Sequence, residues 1–289
     1  MVKVLVYLGY EVWGLSRRED FGNLACKIIA ADLSKPDTLK SAIQICRPSH
    51  VIHLAGLSFI GCHPSVDFYH ANLIGTHHLL EALDRYANSL ASVLLASSAS
   101  VYGNAGDGLI SETSVCRPNN DYAVSKLAME NMAKLWLPKL PVVIARPFNY
   151  TGIGQAESFL IPKIVASFNA KEPAIELGNL DVWREFNDVR DVAYAYTQLL
   201  DAAPIGQTIN VCSGRLISLR EVIKTATEIS NHVLRVQAST EHARSNELIY
   251  LGGDPSLLKH YLPTWQPRPF DQTLRWMLSE HADSNNQFQ

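Results

Sequence analysis

Two side chains that could move a proton stand four residues apart in the segment YAVSK, which runs from Tyr122 to Lys126. On a helix, positions i and i+4 share a face, so the phenol and the ammonium can point at the same spot. Free tyrosine titrates near pH ~10, and a cation held beside the phenol lowers that pKa. The spacing therefore predicts an acid–base pair, although a tyrosine and a lysine on an exposed helix would give the same pattern.

A cluster of hydroxyl groups precedes this pair in the chain. The segment LLASSASVYG, residues 94–103, begins as an apolar run and continues into Ser97, Ser98 and Ser100. A short apolar run is typical of a strand that is covered on both faces. The hydroxyl groups are therefore expected at the end of a buried strand, but alternation along the strand cannot decide which of them faces a cleft.

The elements that must position these groups alternate through the first half of the chain. Helical patterns occur at Pro36–Cys46, Val66–Tyr86 and Tyr122–Leu137. The predicted strands are Glu11–Leu15, Lys27–Leu33, His50–Gly56, Ser92–Ser98 and Pro141–Pro147. Such alternation predicts an α/β fold with a doubly wound, parallel, Rossmann-type sheet, whose ligands gather at the carboxyl ends of the strands.

The second half of the chain has a less regular rhythm. We predict helices at Phe159–Asn169, Val189–Leu200, Leu219–Ile229 and Phe270–Ser279, with a short strand at Gln207–Cys212. These elements predict a first domain over residues 1–150 and a smaller α/β lobe over residues 151–289, interleaved with the first. A cleft between them is the expected substrate site.

Composition argues against several classes of protein. The net charge of −3 argues against a nucleic-acid binder. No apolar run approaches the roughly 18 residues that a membrane span requires. The five cysteines are scattered and form no CxxC pair. We therefore expect reduced thiols in a cytoplasmic protein, with neither a disulfide framework nor a zinc site.

The first residues, MVKVLVYLGYEV, allow two interpretations. A strand at Val2–Val6 would lie too close to the next strand, because a parallel crossover needs about a dozen residues. As a helix, Val2, Leu5 and Val6 share an apolar face, and Gly9 falls where a C-cap belongs. We therefore predict a helix, and we expect the first βα unit of the fold, with its glycine-rich turn, to be missing from this sequence. The alternative is that the protein dispenses with that unit.

Two further motifs complete the pattern. HLAG, residues 53–56, ends one predicted strand, and ANLIGT, residues 71–76, lies in the helix that follows. With the hydroxyl cluster and the YxxxK pair, they resemble the extended short-chain dehydrogenase/reductase (epimerase/dehydratase) family, which acts mostly on nucleotide-activated sugars. The resemblance covers nearly the whole chain. It implies that residues 1–150 bind the dinucleotide and residues 151–289 bind the nucleotide sugar.

This resemblance implies a role for each reactive side chain. Ser98 would hydrogen-bond the reacting oxygen, Tyr122 would give or take its proton, and Lys126 would lower the pKa of Tyr122 and hold the nicotinamide ribose. The implied cofactor contacts are Arg17, Arg18, Asp32, Leu33, Leu54, Ala55, Gly56, Asn72, Tyr122 and Lys126.

Two of these residues have a structural alternative. Asp32 could cap the helix that follows, in competition with Ser34. Asn72 could equally be the N-cap of a helix.

The choice of cofactor rests on two arginines. Arg17 and Arg18 follow the strand that, by the resemblance, delivers the ribose-binding residue. Because arginine suits a 2′-phosphate, NADP(H) is favoured over NAD(H). The neighbouring Glu19 and Asp20 leave a solvated charge cluster as the alternative.

The segment ARPFNYTGIGQAESFLIPKI, residues 145–164, discriminates most between members of the family. It resembles the corresponding segment of GDP-6-deoxy-D-mannose reductases, in which histidine and proline are usual at the positions of Tyr150 and Ile153. A second segment, VWREFNDVRDV, is similar to the family's RDFxxVxDV motif, with Glu185 in place of aspartate. The implied substrate contacts are Ser98, Asn149, Gln155, Arg184, Arg244 and Glu247.

The resemblance implies reduction of the C4 ketone of GDP-4-keto-6-deoxy-D-mannose to GDP-D-rhamnose by NADPH. Arg184 would clamp the diphosphate, because a guanidinium binds phosphate oxygens in pairs. Asn149 could instead stabilise a turn, and Arg244 and Glu247 could be surface charges. The alternatives are a nucleotide-sugar 4-epimerase, a GDP-mannose 4,6-dehydratase, which the absence of a carboxylate after Ser98 disfavours, or an inactive binding module. A homodimer through the two long helices is also expected.

Overall fold

The computed structural model describes residues 1–17, 25–58, 64–104, 108–238 and 250–285 of the chain. The elements of the first half are α1 (Val2–Tyr7), β1 (Trp13–Ser16), β2 (Lys27–Ala30), α2 (Pro36–Cys46), β3 (His50–His53), α3 (Ser65–Phe68), α4 (Gly75–Tyr86), β4 (Ser92–Ala96), β5 (Leu109–Ile110), α5 (Asp121–Lys134) and β6 (Val142–Pro147). A π-helical turn, Tyr69–Ile74, joins α3 to α4, and a 3-10 turn, Ala99–Tyr102, follows β4.

The second half continues the numbering. Its elements are β7 (Tyr150–Thr151), α6 (Leu160–Asn169), β8 (Ala174–Leu177), β9 (Trp183–Arg184), β10 (Asn187–Asp188), α7 (Val189–Ala202), β11 (Thr208–Val211), β12 (Ile217–Ser218), α8 (Leu219–Ser230), β13 (Arg235–Ala238), β14 (Tyr250–Gly253), α9 (Ser256–Tyr261) and α10 (Phe270–Asn285).

A parallel four-stranded sheet in the order β11–β6–β4–β3 lies at the centre of the first lobe. Side chains alternate across it, as the pleat of a strand requires. Val93 and Leu95 of β4 join the core under α2, α4 and α5, whereas Leu94 packs with residues of α7 and α9. Helices therefore cover both faces, which confirms the doubly wound α/β fold. β1 and β2 form a separate parallel pair.

Elements of the second half of the chain join the central sheet and also form a further apolar core. β11 returns to the central sheet and pairs with β6. α6, α8 and α10 enclose another apolar core with β8. A small mixed sheet, β12–β9–β14–β5, takes one strand from the first half of the chain. The second-half segments that follow β6 thus stand beside the carboxyl end of the central sheet.

Three local predictions can be compared directly with the structure. The helix at the start of the chain is confirmed as α1, and Gly9 follows its C-cap with φ +86°, a conformation that glycine adopts without strain. The single helix predicted for Val66–Tyr86 is wrong, because the π-helical turn interrupts it. Strands β2, β3 and β4 end before their predicted ends at Leu33, Gly56 and Ser98, because the chain leaves the strands after Ala30, His53 and Ala96.

No helix among the described residues is long and apolar enough to cross a membrane.

Candidate active site

Ser98 and Tyr122 meet where β4 and α5 approach each other. Ser98 has extended backbone, and its hydroxyl accepts a hydrogen bond from the Ser100 amide at 3.1 Å, which caps the 3-10 turn. The Ser98 side chain also lies near the phenol of Tyr122 and lowers its pKa. Ser97, one of its competitors, is buried and donates to Glu130 instead. The structure therefore brings Ser98, and not Ser97, to the phenol.

The phenol of Tyr122 is kept in its protonated form. Burial raises the pKa of Tyr122 to about 12, although the Ser98 side chain lowers it; the nearby Tyr150 raises it further. The prediction of a lowered pKa for this phenol is therefore wrong in this structure. The physical reason is that desolvation of the phenolate outweighs the favourable contacts. A neutral phenol at the edge of the sheet is a proton donor.

Lys126 lies one helical turn further along α5. Its side chain is buried, and its ammonium donates to the carbonyl oxygen of Ala96 at 2.8 Å. Burial lowers the pKa of Lys126 to about 8, while the carboxylate of Glu130 raises it. The ammonium is thus mostly charged at neutral pH, and it points at the end of β4.

Gly56 and Asn72 bring the loop after β3 against this ammonium. A Cβ at Gly56 would lie 2.5 Å from Asn72 Oδ1 and 3.5 Å from Lys126 Nζ, so only glycine fits there. The Asn72 side chain accepts from the Leu57 amide and donates to the Leu57 carbonyl and to Ser125. Asn72 lies inside the π-helical turn and caps no helix, so the capping alternative is wrong.

A second group of predicted cofactor residues lies at the ends of β1 and β2. Arg17 is exposed, and its charge lowers the pKa of Asp32, although hydrogen bonds from Ser34 to that carboxylate are the larger cause. The N-cap of α2 is Lys35, without a side-chain cap, so neither Asp32 nor Ser34 caps that helix. Leu33 follows Asp32 and packs against Gly75 of α4.

The predicted substrate residues of the second half are more open. The backbone carbonyl of the exposed Asn149 accepts from the Asn187 amide at 2.8 Å. Gln155 accepts from the Thr151 hydroxyl at 2.8 Å, which ties the loop after β7. Arg184 is half-buried on β9, where one guanidinium nitrogen donates to the Trp183 carbonyl at 2.9 Å.

Three predicted residues, Arg18, Arg244 and Glu247, lie outside the described residues. Sequence reasoning missed Glu130 and Arg146, which form a buried ion pair behind the reactive groups. A signal was present: Arg146 is a charged residue in the otherwise apolar strand VVIARP, and a buried charge requires a partner.

The residues present fit the nicotinamide end of a dinucleotide. Leu54, Ala55 and Gly56 form an exposed platform at the carboxyl end of β3, beside the Lys126 ammonium. An apolar platform with one cation suits a nicotinamide ring and the hydroxyls of its ribose. NAD(P) bound there would supply or accept a hydride next to Ser98 and Tyr122.

A doubly wound parallel sheet with serine, tyrosine and lysine gathered at its carboxyl edge defines a dinucleotide-dependent enzyme that interconverts carbonyl and hydroxyl groups. The profile of the NAD dependent epimerase/dehydratase family matches residues 1–212, and the chain belongs to that family.

Two curated relatives cover most of the chain. GDP-6-deoxy-D-talose 4-dehydrogenase of Aggregatibacter actinomycetemcomitans is 32% identical over 90% of this chain and 87% of its own length. GDP-6-deoxy-D-mannose reductase of Pseudomonas aeruginosa is 34% identical over 86% of this chain and 85% of its own. This chain is accordingly an NAD(P)-dependent enzyme of the nucleotide-sugar oxidoreductase type.

Solved structures agree with this assignment. A Burkholderia cenocepacia protein provisionally named an epimerase superposes with a TM-score of 0.92 at 42% identity, covering 98% of this chain and 93% of that one. RMD from Pseudomonas aeruginosa in complex with NADPH superposes with a TM-score of 0.80 at 34% identity, covering 88% of this chain and 86% of that one.

Proposed function

We propose that this enzyme uses NADPH to reduce the C4 ketone of GDP-4-keto-6-deoxy-D-mannose, giving GDP-D-rhamnose. One observation carries the proposal: the Tyr122 phenol, whose pKa burial raises to about 12, lies near Ser98 at the sheet edge. A ketone reduction needs such a protonated donor beside a second hydroxyl group. Both curated relatives are named for GDP-linked 6-deoxyhexoses, which supports the substrate class.

The chain's own residues have separate tasks in this reaction. NADPH, when bound, supplies the hydride to C4. Ser98 and Tyr122 hold the ketone oxygen, and Tyr122 transfers its phenolic proton to that oxygen as negative charge develops. Lys126 holds the ribose hydroxyls, and its positive charge stabilises the phenolate that remains. Proton transfer by a positioned side chain contributes about 10²- to 10⁴-fold to a rate.

Preference for NADPH over NADH is assigned to the arginines after β1. Arg17 is exposed beside Asp32, where a guanidinium can bind a 2′-phosphate. The relative RMD, whose structure contains NADPH, supports this choice. Arg18 is proposed to act with Arg17, and Asp32 and Leu33 to contact the adenosine.

The GDP part of the substrate is assigned to the second lobe, residues 151–289, with the dinucleotide on residues 1–150. Arg184 is proposed to clamp the diphosphate, together with Arg244 and Glu247. Asn149 and Gln155 are proposed to face the sugar from the loop around β7. Binding energy from the GDP moiety, which takes no part in the chemistry, then serves to orient the ketone.

A second product is favoured by one comparison. Talose and mannose differ in configuration at C4, so the relative named for GDP-6-deoxy-D-talose corresponds to hydride delivery to the other face of the ketone. Tyr150 is 43% exposed and lies near the Tyr122 phenol, at the position where the ketone would bind. The proton coupling constants of the product at C4 distinguish the two configurations.

The test is to supply GDP-4-keto-6-deoxy-D-mannose with NADPH and to follow the absorbance of the reduced cofactor. Consumption of NADPH that depends on the keto sugar is expected. A parallel incubation with UDP-glucose tests the 4-epimerase alternative, and one with GDP-mannose tests the dehydratase. If NADPH remains unconsumed while one of those sugars is converted, the reductase proposal is wrong.

A homodimer through α4 and α5 is proposed as the assembly. The apolar side chains of Val66, Ile74, Val124 and Leu135 are exposed on or beside these helices, with Leu135 78% exposed. Exposed apolar side chains are a feature of many interfaces between subunits. Light scattering during gel filtration should give the mass of two chains, and the mass of one chain would reject the assembly.

A further inference from the structure

A buried polar network lies directly behind the reactive groups. Arg146, 4% exposed, makes two hydrogen bonds with Glu130, 0% exposed: Nε to Oε1 at 2.9 Å and Nη2 to Oε2 at 2.5 Å. Arg146 Nη1 also donates to the hydroxyl of Tyr102 at 2.8 Å. Tyr102 in turn donates to Asn210 of β11 at 2.7 Å. Every member is thus held by a partner from another element.

This network touches both segments that carry the chemistry. The Ser97 hydroxyl donates to Glu130 Oε1, and Ser97 immediately precedes Ser98. Tyr102 ends the 3-10 turn that Ser98 caps. Glu130 lies four residues after Lys126 on α5, on the same face of the helix. The ion pair therefore connects the end of β4 with α5.

The charge of the Glu130–Arg146 ion pair affects the pKa of Lys126. Burial lowers its pKa to about 8, and Glu130 supplies the anionic charge that raises it. His53 is neutral, because burial lowers its pKa to about 3, and the ammonium of Lys126 lowers it further. Among the described residues, the ionisable groups near Lys126 include Tyr122 and Glu130 of α5, His53 of β3, and Arg146 of β6 behind the carboxylate.

Packing alone does not explain a buried ion pair at this position. Well-packed apolar residues often replace a buried ion pair without loss of stability, whereas removal of one partner leaves an uncompensated charge. Here the negative end of the pair lies toward Lys126, and the positive end lies toward Tyr102. The orientation, and not only the presence, of the pair therefore affects the reactive ammonium.

We propose that Glu130 and Arg146 are positioning residues of the reaction, which keep Lys126 charged and hold Ser98 against Tyr122. The catalytic half of this inference rests on the proposed ketone reduction. The electrostatic half concerns the ligand-free protein and stands independently of any substrate.

The electrostatic part of the inference is tested by an NMR titration of Lys126 in ligand-free protein labelled with carbon-13 at the lysine ε-carbons. The signal that is missing from Lys126→Met is assigned to Lys126. Glu130→Gln should lower the pKa of Lys126 by about one unit, because Arg146 is then unpaired. Glu130→Gln with Arg146→Met should give an intermediate value, because the pair is then neutral. Glu81→Gln, which breaks the exposed Glu81–Arg85 pair on α4, is the matched control and should leave the titration unchanged.

Two results would overturn the inference: titration of Lys126 at the wild-type pH in Glu130→Gln, or no difference between the single and the double variant. Circular dichroism checks that each variant is folded. If Glu130→Gln does not fold, Glu130→Asp and the double variant decide the question, because the first retains the charge and should titrate near the wild-type value while the second should titrate lower.

The kinetic arm uses the keto sugar and NADPH. In Glu130→Gln the alkaline limb of kcat/KM should move to lower pH with Lys126, and kcat should fall about tenfold or more. Ser97→Ala should lower kcat severalfold without moving the titration of Lys126, because it removes a hydrogen bond and no charge. If the variants show the expected order of Lys126 pKa values but the wild-type protein consumes no NADPH, the proposed reaction is rejected and the electrostatic role is retained. A kcat that is unchanged in both variants would reject the positioning role.

Discussion

The reactive corner formed by β4, α5 and β6 differs in kind from the predicted sugar-binding region around β7 and β9. In the corner, Lys126 is buried and its ammonium is bonded to another element of the fold. Around β7 and β9, Arg184 is half-buried and donates to the Trp183 carbonyl, and the side chain of Asn149 is exposed. We propose that the reactive groups are positioned before the substrate binds, whereas the groups around β7 and β9 complete their contacts when the substrate binds.

This difference has a physical reason. Groups that stabilise charge in a transition state work best when they are fixed in advance, since reorganisation then costs nothing during the reaction. Groups that bind a diphosphate must first exchange water for phosphate oxygens, so they need access to solvent. Substitutions in the corner should therefore change kcat, and those around β9 should change KM.

The largest effect is expected from Tyr122→Phe. Loss of the proton donor should lower kcat about 10²- to 10⁴-fold. Equilibrium titration with NADPH should give a dissociation constant close to that of the wild type, because the phenyl ring remains. Activity within tenfold of the wild type would show that another group donates the proton. It would also contradict the expectation that substitutions near β4 and α5 act mainly on kcat.

A smaller effect, and one on KM, is expected from Arg184→Ala. Loss of a paired contact with the diphosphate should raise the KM for the keto sugar about 10- to 100-fold with little change in kcat. Free GDP should become a weaker competitive inhibitor by a similar factor. Arg220→Ala, which removes an exposed arginine paired with Asp181, is the matched control. A fall in kcat at unchanged KM would place Arg184 with the reactive groups instead.

The smallest effect concerns the free energy of unfolding at acid pH, and it tests whether His53 is buried away from water. Thr76 donates to the Asn72 carbonyl, so the buried His53 Nε2 donates to Thr76 at 2.9 Å as a neutral ring. Burial lowers the pKa of His53 to about 3, below its unfolded value, so the stabilising contribution is present above the unfolded pKa and is lost as pH falls. Between pH ~7.5 and pH ~5 this loss should be about 2 kcal/mol.

Urea unfolding at the two pH values measures this loss, and His53→Gln should reduce it. His260→Gln, at an exposed histidine on α9, should leave the pH dependence unchanged. Equal pH dependence of the wild type and of His53→Gln would mean that the ring is open to water.

The sequence predicted well those features that depend on local pattern. The helix of Tyr122 and Lys126 and the apolar strands follow from periodicity, and the structure contains them, although β2, β3 and β4 end before the predicted ends. The choice of Ser98 over Ser97 did not follow, because the chain leaves the strand at Ala96 and enters a 3-10 turn, where alternation no longer applies.

Features that depend on distant partners could not be predicted. The π-helical turn accommodates Asn72, whose three hydrogen bonds reach Leu57 and Ser125 across the fold. The direction of the pKa shift of Tyr122 was wrong because burial is a tertiary property. The partner of Arg146 lies sixteen residues earlier, on another element, so the sequence could signal a buried charge but not what pairs with it.

The most direct test of the central claim uses NADPH that carries deuterium at the transferable position of the nicotinamide. We predict that GDP-4-keto-6-deoxy-D-mannose yields a GDP-6-deoxyhexose with deuterium at C4, one label for each NADPH consumed, and that Tyr122→Phe slows this transfer about 10²- to 10⁴-fold. A product without deuterium at C4, or sugar conversion without net consumption of NADPH, would contradict the central claim.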